Sequence, residues 1–483
     1  MKNGLLILSL FVVFRVSAQK ETSNWVFGDS VLMSFTDTGI TSMQIPSTIQ
    51  HETSASISDS SGELLFYTDG KYVWNNNFIT MPNGCCLNVD QYGTYASSIT
   101  QGAIILPVPA YNYKYYIFIK SENSVSYSMV NMSFDGGMGD VEEKNTIILV
   151  DTIMEKMHAV RHANGRDWWL LVHESIPSFN PGLTNTFYKF LITPSGISGP
   201  FEQNIGSLID FHTNVGEMIF SPDGSKIALT GYNFVELFDF DRCSGELTEN
   251  AYIDNFDIGS FTSYGFSFSP DGNKIYISDF DLLYQYCLNC KDDIEETKIL
   301  LFDNPYGGYS IGQHELGLDN KVYFTINYSL MPNDVFTLKN MNLCVINEPN
   351  IEGFACDLDT STIWLGGRRA IAGLPNMVNY NLGALVGSDC DTLGVAIIEP
   401  ASDKVFTVFP NPVADVVYFK QSTQTNTTFH LRITNAAGIL VFYNPEYKNS
   451  QQVNLLDMPA GLYQYSINNA DNFHQSGSFV KIE

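Results

Sequence analysis

Two stretches of the chain alternate apolar and polar positions in the same way. Residues 216–229 read Gly-Glu-Met-Ile-Phe-Ser-Pro-Asp-Gly-Ser-Lys-Ile-Ala-Leu, and residues 264–277 read Tyr-Gly-Phe-Ser-Phe-Ser-Pro-Asp-Gly-Asn-Lys-Ile-Tyr-Ile. Each predicts a strand, a tight turn and a second strand. The Asp-Gly pair suits such a turn because glycine accepts a positive φ without a Cβ clash. Weaker copies cover 54–67, 159–170 and 313–324, and a looser one centres on Asn112. With Gly62, Asn112, Gly165, Gly224, Gly272 and Asn320 as turn residues, the spacings are 50, 53, 59, 48 and 48. A third strand is expected after each turn, at 71–74, 125–130, 187–192, 235–240, 282–286 and 334–338.

A period near 50 residues with four strands per unit is the arithmetic of radial β-repeats. The expected fold is all-β: a seven-bladed β-propeller, or alternatively a six-bladed one, over residues 19–382. The seventh turn is placed in Ile371-Ala-Gly-Leu-Pro-Asn-Met-Val378, 56 residues after Asn320. Strands at Asn24–Asp29 and Val31–Phe35 would complete that blade, joining the chain ends and removing free sheet edges.

Phe220-Ser-Pro-Asp-Gly224 and Phe268-Ser-Pro-Asp-Gly272 resemble WD40-like and YVTN-like propeller repeats. The run from Asn24 to Asn379 resembles an exported propeller family often found beside type IX sorting domains. The residues that carry this resemblance are Asn24-Trp-Val-Phe-Gly28, Leu65-Phe-Tyr-Thr-Asp-Gly70, Met81-Pro-Asn-Gly84, Ala159-Val-Arg-His162 and Gly373-Leu-Pro-Asn376. The repeats lack the Trp-Asp ending of true WD40 blades, so WD40-type partners do not carry over. The family resemblance implies no defined biochemical activity.

After Asn381 the pattern changes. Residues 383–404 read as a linker, and 405–483 as a small β-sandwich with strands at 416–419, 429–434, 439–442, 452–455, 463–467 and 478–482. This block resembles a type A sorting domain of type IX secretion. The resemblance rests on Phe409-Pro-Asn-Pro-Val413 (Pro410, Asn411 and Pro412 within it), Asn435 to Gly438, Pro459-Ala-Gly-Leu-Tyr463 (with Gly461 and Tyr463) and a basic ending at Lys481. It implies recognition by the type IX machinery after Sec-dependent entry to the periplasm. It further implies removal of the domain by a sortase, with attachment to surface polysaccharide or release; no local motif names the cleavage point, and the linker between Gly383 and Lys404 is where a cut is expected.

Charge and composition narrow the partners. The formal net charge is −27, and nearly all of it precedes residue 405, because the last block holds 4 basic and 5 acidic residues. Such a surface repels phosphate backbones, so nucleic acid is not expected as a partner. Residues 1–18 read as a secretory signal, with Lys2 ahead of the apolar run Leu5–Phe14 and small residues at Val16-Ser17-Ala18. The run is too short to span a bilayer, and no other transmembrane segment is expected. Eight cysteines in an exported chain permit disulfides. The lone Cys287-Leu-Asn-Cys290 lacks the second pair a zinc site needs, so a structural disulfide or buried thiols are expected there.

Candidate chemistry is sparse. Catalytic Gly-x-Ser-x-Gly, His-Glu-x-x-His, phosphate-loop and EF-hand motifs are absent, and neither a cofactor nor a metal is expected. His158 and His162 would bind one metal on a helix, but on a strand they stand roughly 13 Å apart. His158, Glu217, Gly265 and Gln313 occupy equivalent inner-strand positions and form a candidate ring of ligand contacts. Asp59, Asp69, Glu174, Asp239 and Asp241 are the candidate acid–base carboxylates. Trp168 and Trp169 fall on opposite faces of one strand. Two functions follow: a non-enzymatic surface module that binds polysaccharide or protein, or a secreted glycan hydrolase or lyase using channel carboxylates.

Overall fold

The computed structural model describes residues 20–482 apart from 88–97, 122, 178–179, 181, 232, 255–262, 305–307, 329–334, 392–405, 422–427, 436–439, 457 and 469–473. The chain divides into two compact units, 1–394 and 395–483. The signal-peptide reading of residues 1–18 falls outside the described residues.

The first unit is a run of seven antiparallel sheets in which spatial order follows chain order. The first sheet has two strands, Asn24–Thr36 and Gly39–Gln50. The second has three, Ala55–Ser58, Leu64–Thr68 and Val73–Asn75. The remaining five have four strands each and span 103–150, 153–209, 218–253, 263–303 and 309–364. Each of the six expected turn residues lies between the first and second strands of its sheet. Gly62, Gly165, Gly224, Gly272 and Asn320 all have positive φ there. Around Asn112 the left-handed residue is Ala110 instead, so that turn bends two positions earlier than its polar residues suggest.

The strands bury both faces, which is why alternation is strongest only near the turns. Trp168 packs in a core with the preceding sheets, and Trp169 packs in a separate core with the following sheet. The same division recurs along the unit. Val26 and Leu32 of the first sheet meet Leu64 and Tyr67 of the second. Val235 and Leu237 of the fifth meet Phe266 and Ile275 of the sixth. Leu283 of the sixth meets Phe324 and Ile346 of the seventh. Leu343 and Tyr323 of the seventh meet Trp25 and Phe27 of the first.

Three expectations need correction. The strands expected at 24–29 and 31–35 are one 13-residue strand with a bulge where Ser30 takes φ 63°. The third strand of the seventh sheet is Asn342–Ile346, not 334–338. All five of its residues are buried, so it has no alternation to read, whereas Phe336 and Leu338 are exposed. Residues 371–378 form no hairpin. Pro375 lacks an N–H for a ladder, and the segment runs as extended buried chain.

The second unit packs two sheets face to face. One contains Phe406–Phe409, Val416–Gln421 and Gln452–Asn454. The other contains Leu440–Tyr447, Phe429–Asn435, Gly461–Asn468 and His474–Lys481 in that spatial order. Phe406, Val417, Phe419 and Val453 from one sheet interleave with Leu431, Ile433, Tyr465 and Phe479 from the other. The six expected strands are present, and Phe406–Phe409 is an addition.

Candidate functional site

Residues 369–382 link the first strands of the sheets. Gln313 N–H donates to Ala372 O at 2.9 Å, and Gly373 N–H donates to His51 O at 3.0 Å. Asn376 N–H donates to Ser54 O at 2.8 Å. The Asn376 Nδ2 donates to Ala103 O at 3.1 Å and to Met157 O at 2.9 Å, joining the third and fourth sheets. The Tyr380 hydroxyl donates to Ile105 O at 2.7 Å, and Asn379 Nδ2 to Pro222 O at 2.8 Å. With Asp29 N–H on Arg369 O at 3.0 Å, this one short segment bonds to six of the seven sheets or the turns beside them. Glycine makes this approach possible: a Cβ on Gly373 would stand 2.2 Å from Glu52 O.

Two side chains preceding first strands act alike. Gln101 Oε1 accepts the N–H groups of Met157 and Met218, at 3.3 and 2.9 Å, on the next two sheets. Glu217 Oε2 accepts those of Phe266 and His314, at 3.0 and 3.4 Å, again on the next two sheets. A long side chain ending in an acceptor can reach across where inner strands crowd together, so its role is a brace. Gln313 closes the series. Its Oε1 accepts from Leu374 N at 2.6 Å, and its Nε2 donates to Thr100 O.

Beside the segment lies a cavity of about 380 Å³, lined by His158, Glu217, His314 and Glu315 and, from the turns, by Ser221, Leu318 and Asn320. Phe220, Phe268, Leu374 and Met377 supply apolar wall. Of the candidate ring, His158 and Glu217 line this cavity, whereas Gly265 and Gln313 are not part of its lining. His158 Nε2 lies 2.9 Å from Met377 O, and its Nδ1 faces Phe220 N at 3.5 Å. Burial pulls its pKa down to about 4, against the opposing bond to Met377. Burial likewise pulls His314 down to about 3. It pushes Glu217 well above the usual carboxylate range despite the two N–H bonds, and does the same to Glu315, which also feels Glu217. Burial therefore disfavours the charged form of all four groups. His314 Nε2 has no hydrogen-bond partner.

The five candidate carboxylates lie elsewhere. Asp59 accepts from Ser61 and Glu63 N–H, and Asp69 from Lys71 and Tyr72 N–H, both at turns. Glu174 bonds Thr184, Asp239 bonds Lys226 and Asn250, and Asp241 bonds Cys243 N–H and Ser244. None lines the cavity. His162 is held by Cys243 O at 3.0 Å. Among the described residues no group of three or more His, Cys, Asp or Glu is arranged to hold a metal. Sequence reasoning did not pick out Gln101, His314 or Glu315. The signal for Asn376 was present in Gly373-Leu-Pro-Asn376, but read as a turn.

The C-terminal unit has its own geometry. Pro410, Asn411 and Pro412 are exposed, and Asn411 Oδ1 accepts from Val480 N at 2.9 Å, tying this motif to the last strand. Val413 N–H donates to Val480 O at 2.8 Å. Tyr463 is buried with its hydroxyl on Pro459 O at 2.7 Å, Gly461 is exposed, and Gly438 lies outside the described residues. Residues 407–481 match the family described as secretion system C-terminal sorting domain. The tail is a type IX sorting domain. A chain carrying this sorting domain is a secreted or cell-surface protein that interacts with the type IX secretion machinery. No helix among the described residues is long and apolar enough to cross a membrane.

No curated protein matches the chain. Similar solved structures include a Lactobacillus plantarum protein at 11% identity and TM-score 0.45, covering 74% of this chain and 98% of that one. Another is a candidate 6-phosphogluconolactonase from Bacteroides uniformis, at 12% and 0.40, covering 65% and 95%. Kluyveromyces lactis Hsv2 matches at 12% and 0.31, covering 67% and 93%. None of these likenesses bears on the chemistry of the cavity.

Proposed function

We propose that residues 19–382 form a closed seven-bladed β-propeller, delivered outside the cell by the sorting domain, that serves as a non-enzymatic binding module for polysaccharide or protein. Seven sheets in sequence, with the seventh packed on the first through Tyr323, Leu343, Trp25 and Phe27, support the blade count and the closure. Closure then needs no shared blade, because residues 369–382 run down the axis and bond the inner strands together. Delivery follows a Sec signal in residues 1–18 and then the type IX route. A sortase cut after Cys390 leaves the Cys243–Cys390 bond within the delivered protein.

The observation that carries the binding reading is the use of the polar groups around the axis. His158, Glu217 and Gln313 already hydrogen-bond backbone groups. A glycosidase needs two carboxyls flanking the scissile bond, one acid and one base or nucleophile. The cavity's two, Glu217 and Glu315, are both pushed towards the neutral form by burial. Ligand would therefore meet the exposed part of the lining, where Asn320, Asn379 and Asn381 suit hydroxyl or amide groups.

The test uses the mature full-length protein on a glycan array, with a parallel hydrolysis and lyase screen on whatever binds. Binding without turnover, weakened at least tenfold by Leu318→Arg in the cavity lining, is the expected result. Turnover lost in Glu217→Gln with folding intact would replace this reading with the hydrolase.

A further inference from the structure

Cys85 and Cys86 are adjacent, exposed and outside the two disulfides, Cys243–Cys390 and Cys287–Cys290. The two thiols interact: the Cys85 thiol pushes the Cys86 pKa up. The other two free cysteines, Cys344 and Cys356, are buried. The backbone around the pair is fixed on both sides. Gly84 N–H donates to Met81 O, and Leu87 N–H to Lys71 O at 3.0 Å. From the neighbouring sheet, Lys144 Nζ donates to Cys85 O and Asn145 Nδ2 to Cys86 O, each at 3.1 Å. Cys86 is held at φ 64°, a conformation that a side chain of this kind seldom adopts unless its surroundings impose it.

We propose that Cys85 and Cys86 are a redox modification site, closing in the exported protein to a vicinal disulfide that opens under milder reduction than Cys243–Cys390. The sorting domain carries the chain into an oxidising environment, where exposed paired thiols do not persist. The oxidant is a protein or small-molecule disulfide. One cysteine thiolate attacks a sulfur of that disulfide, forming a mixed disulfide and expelling one thiol. The neighbouring thiolate then attacks the mixed disulfide and expels the second. The two cysteines lose two electrons and two protons, and the oxidant departs as two thiols. Adjacent Cα atoms lie about 3.8 Å apart across a trans peptide, below the usual disulfide range of roughly 4.4–6.8 Å, so the ring is strained and readily reduced. Cys243–Cys390, with Cα atoms 5.6 Å apart, is within that range.

The test is peptide mapping of the mature protein collected outside the cell, acid-quenched and alkylated without reduction. The peptide holding both residues is expected unlabelled and lighter by two hydrogens, and a graded thiol titration is expected to label it before Cys243 or Cys390. Alkylation of both thiols in the untreated protein would overturn the proposal, as would linkage of either to another cysteine or reduction in step with Cys243–Cys390. In Cys85→Ser, Cys86 is expected to be either alkylated or held as the unresolved mixed disulfide with the oxidant. Linkage of Cys86 to another cysteine of the chain in that variant would overturn the proposal.

Discussion

His158 Nε2 lies 2.9 Å from the carbonyl oxygen of Met377. With Phe220 N–H directed at Nδ1, the ring is a neutral imidazole that donates from Nε2 and accepts at Nδ1. A single side chain therefore couples the fourth sheet to the axial segment and to the fifth sheet. Charging it would turn its acceptor into a donor facing another donor.

That arrangement makes acid stability legible. His158 and His173 are drawn by burial to about 4, and His314 to about 3, from an unfolded value near 6.5. As pH falls below that value, the unfolded chain takes up protons that the folded chain refuses, so stability is lost between about 6.5 and 4. A shift of this size at a fully buried group is worth on the order of 3 kcal/mol. Glu217 works in the opposite sense. Its raised pKa means that stability is lost as pH rises from the unfolded carboxylate value through the folded one. Glu315, raised in the same way, adds to that opposing effect, so the readout is the difference between two proteins. From pH 7 to 4 the thermal midpoint of His158→Gln, which keeps a donor for Met377 O, is expected to change with a less positive slope against pH than that of the unaltered protein. An unchanged slope would mean that His158 does not titrate on unfolding.

Asn376 ties residues 369–382 to the third and fourth sheets. Its side chain donates to Ala103 O and Met157 O, and its Oδ1 lies 3.5 Å from Gln101 Nε2. Asn376→Ala leaves two buried carbonyls unpaired, at about 1–3 kcal/mol each before relaxation. The expected result is a loss of about 2–4 kcal/mol, read by calorimetry as a drop of several degrees in Tm. Asn376→Asp, which removes the donors and adds a buried charge, is expected to be worse. If alanine is neutral, the segment does not brace the inner strands.

Much of the fold was readable because tight turns impose local rules. The Pro-Asp-Gly turns at Gly224 and Gly272 fixed the period, and the polar–apolar alternation beside them fixed the strands. Where both faces of a strand are buried, as in Asn342–Ile346, alternation vanishes and the strand is misplaced. The axial segment was misread for a related reason. Its hydrogen bonds go to sheets distant in sequence, so nothing local separates Gly373-Leu-Pro-Asn376 from a turn. The strand register puts His158 and Glu217 in the lining of one cavity, but does not give their partners. Those partners depend on which backbone groups the other sheets bring opposite them.

Gly373 tests the close approach directly. Its absent Cβ would meet Glu52 O at 2.2 Å and Glu52 Cα at 2.6 Å, both backbone atoms that cannot swing aside. Gly373→Ala is expected to cost at least about 1–3 kcal/mol through overpacking, with a matching fall in Tm. Gly387→Ala is not a sound control because that glycine has positive φ. Gly383→Ala is suitable, because a Cβ there meets nothing within 4 Å, and it is expected to leave Tm unchanged.

The two disulfides differ in what they constrain. Cys243 and Cys390 are 147 residues apart, and their bond anchors the chain just beyond the axial segment to the turn after the third strand of the fifth sheet. The anchored stretch is also held by Arg242 Nη2 on Gly383 O at 2.6 Å and by Leu385 N–H on Ala163 O at 2.8 Å. Cys287 and Cys290, three residues apart, close only a short loop. Chain-entropy arguments give about 5 kcal/mol for the long loop and about a third of that for the short one. Replacing Cys243 and Cys390 with serine is therefore expected to lower Tm by on the order of 10 °C and to open residues 383–391 to protease. The corresponding Cys287 and Cys290 variant is expected to lose about a third as much, with 383–391 still protected. Equal losses from the two variants, or protection of 383–391 in both, would show that hydrogen bonds rather than the covalent link hold the end of the axial segment in place.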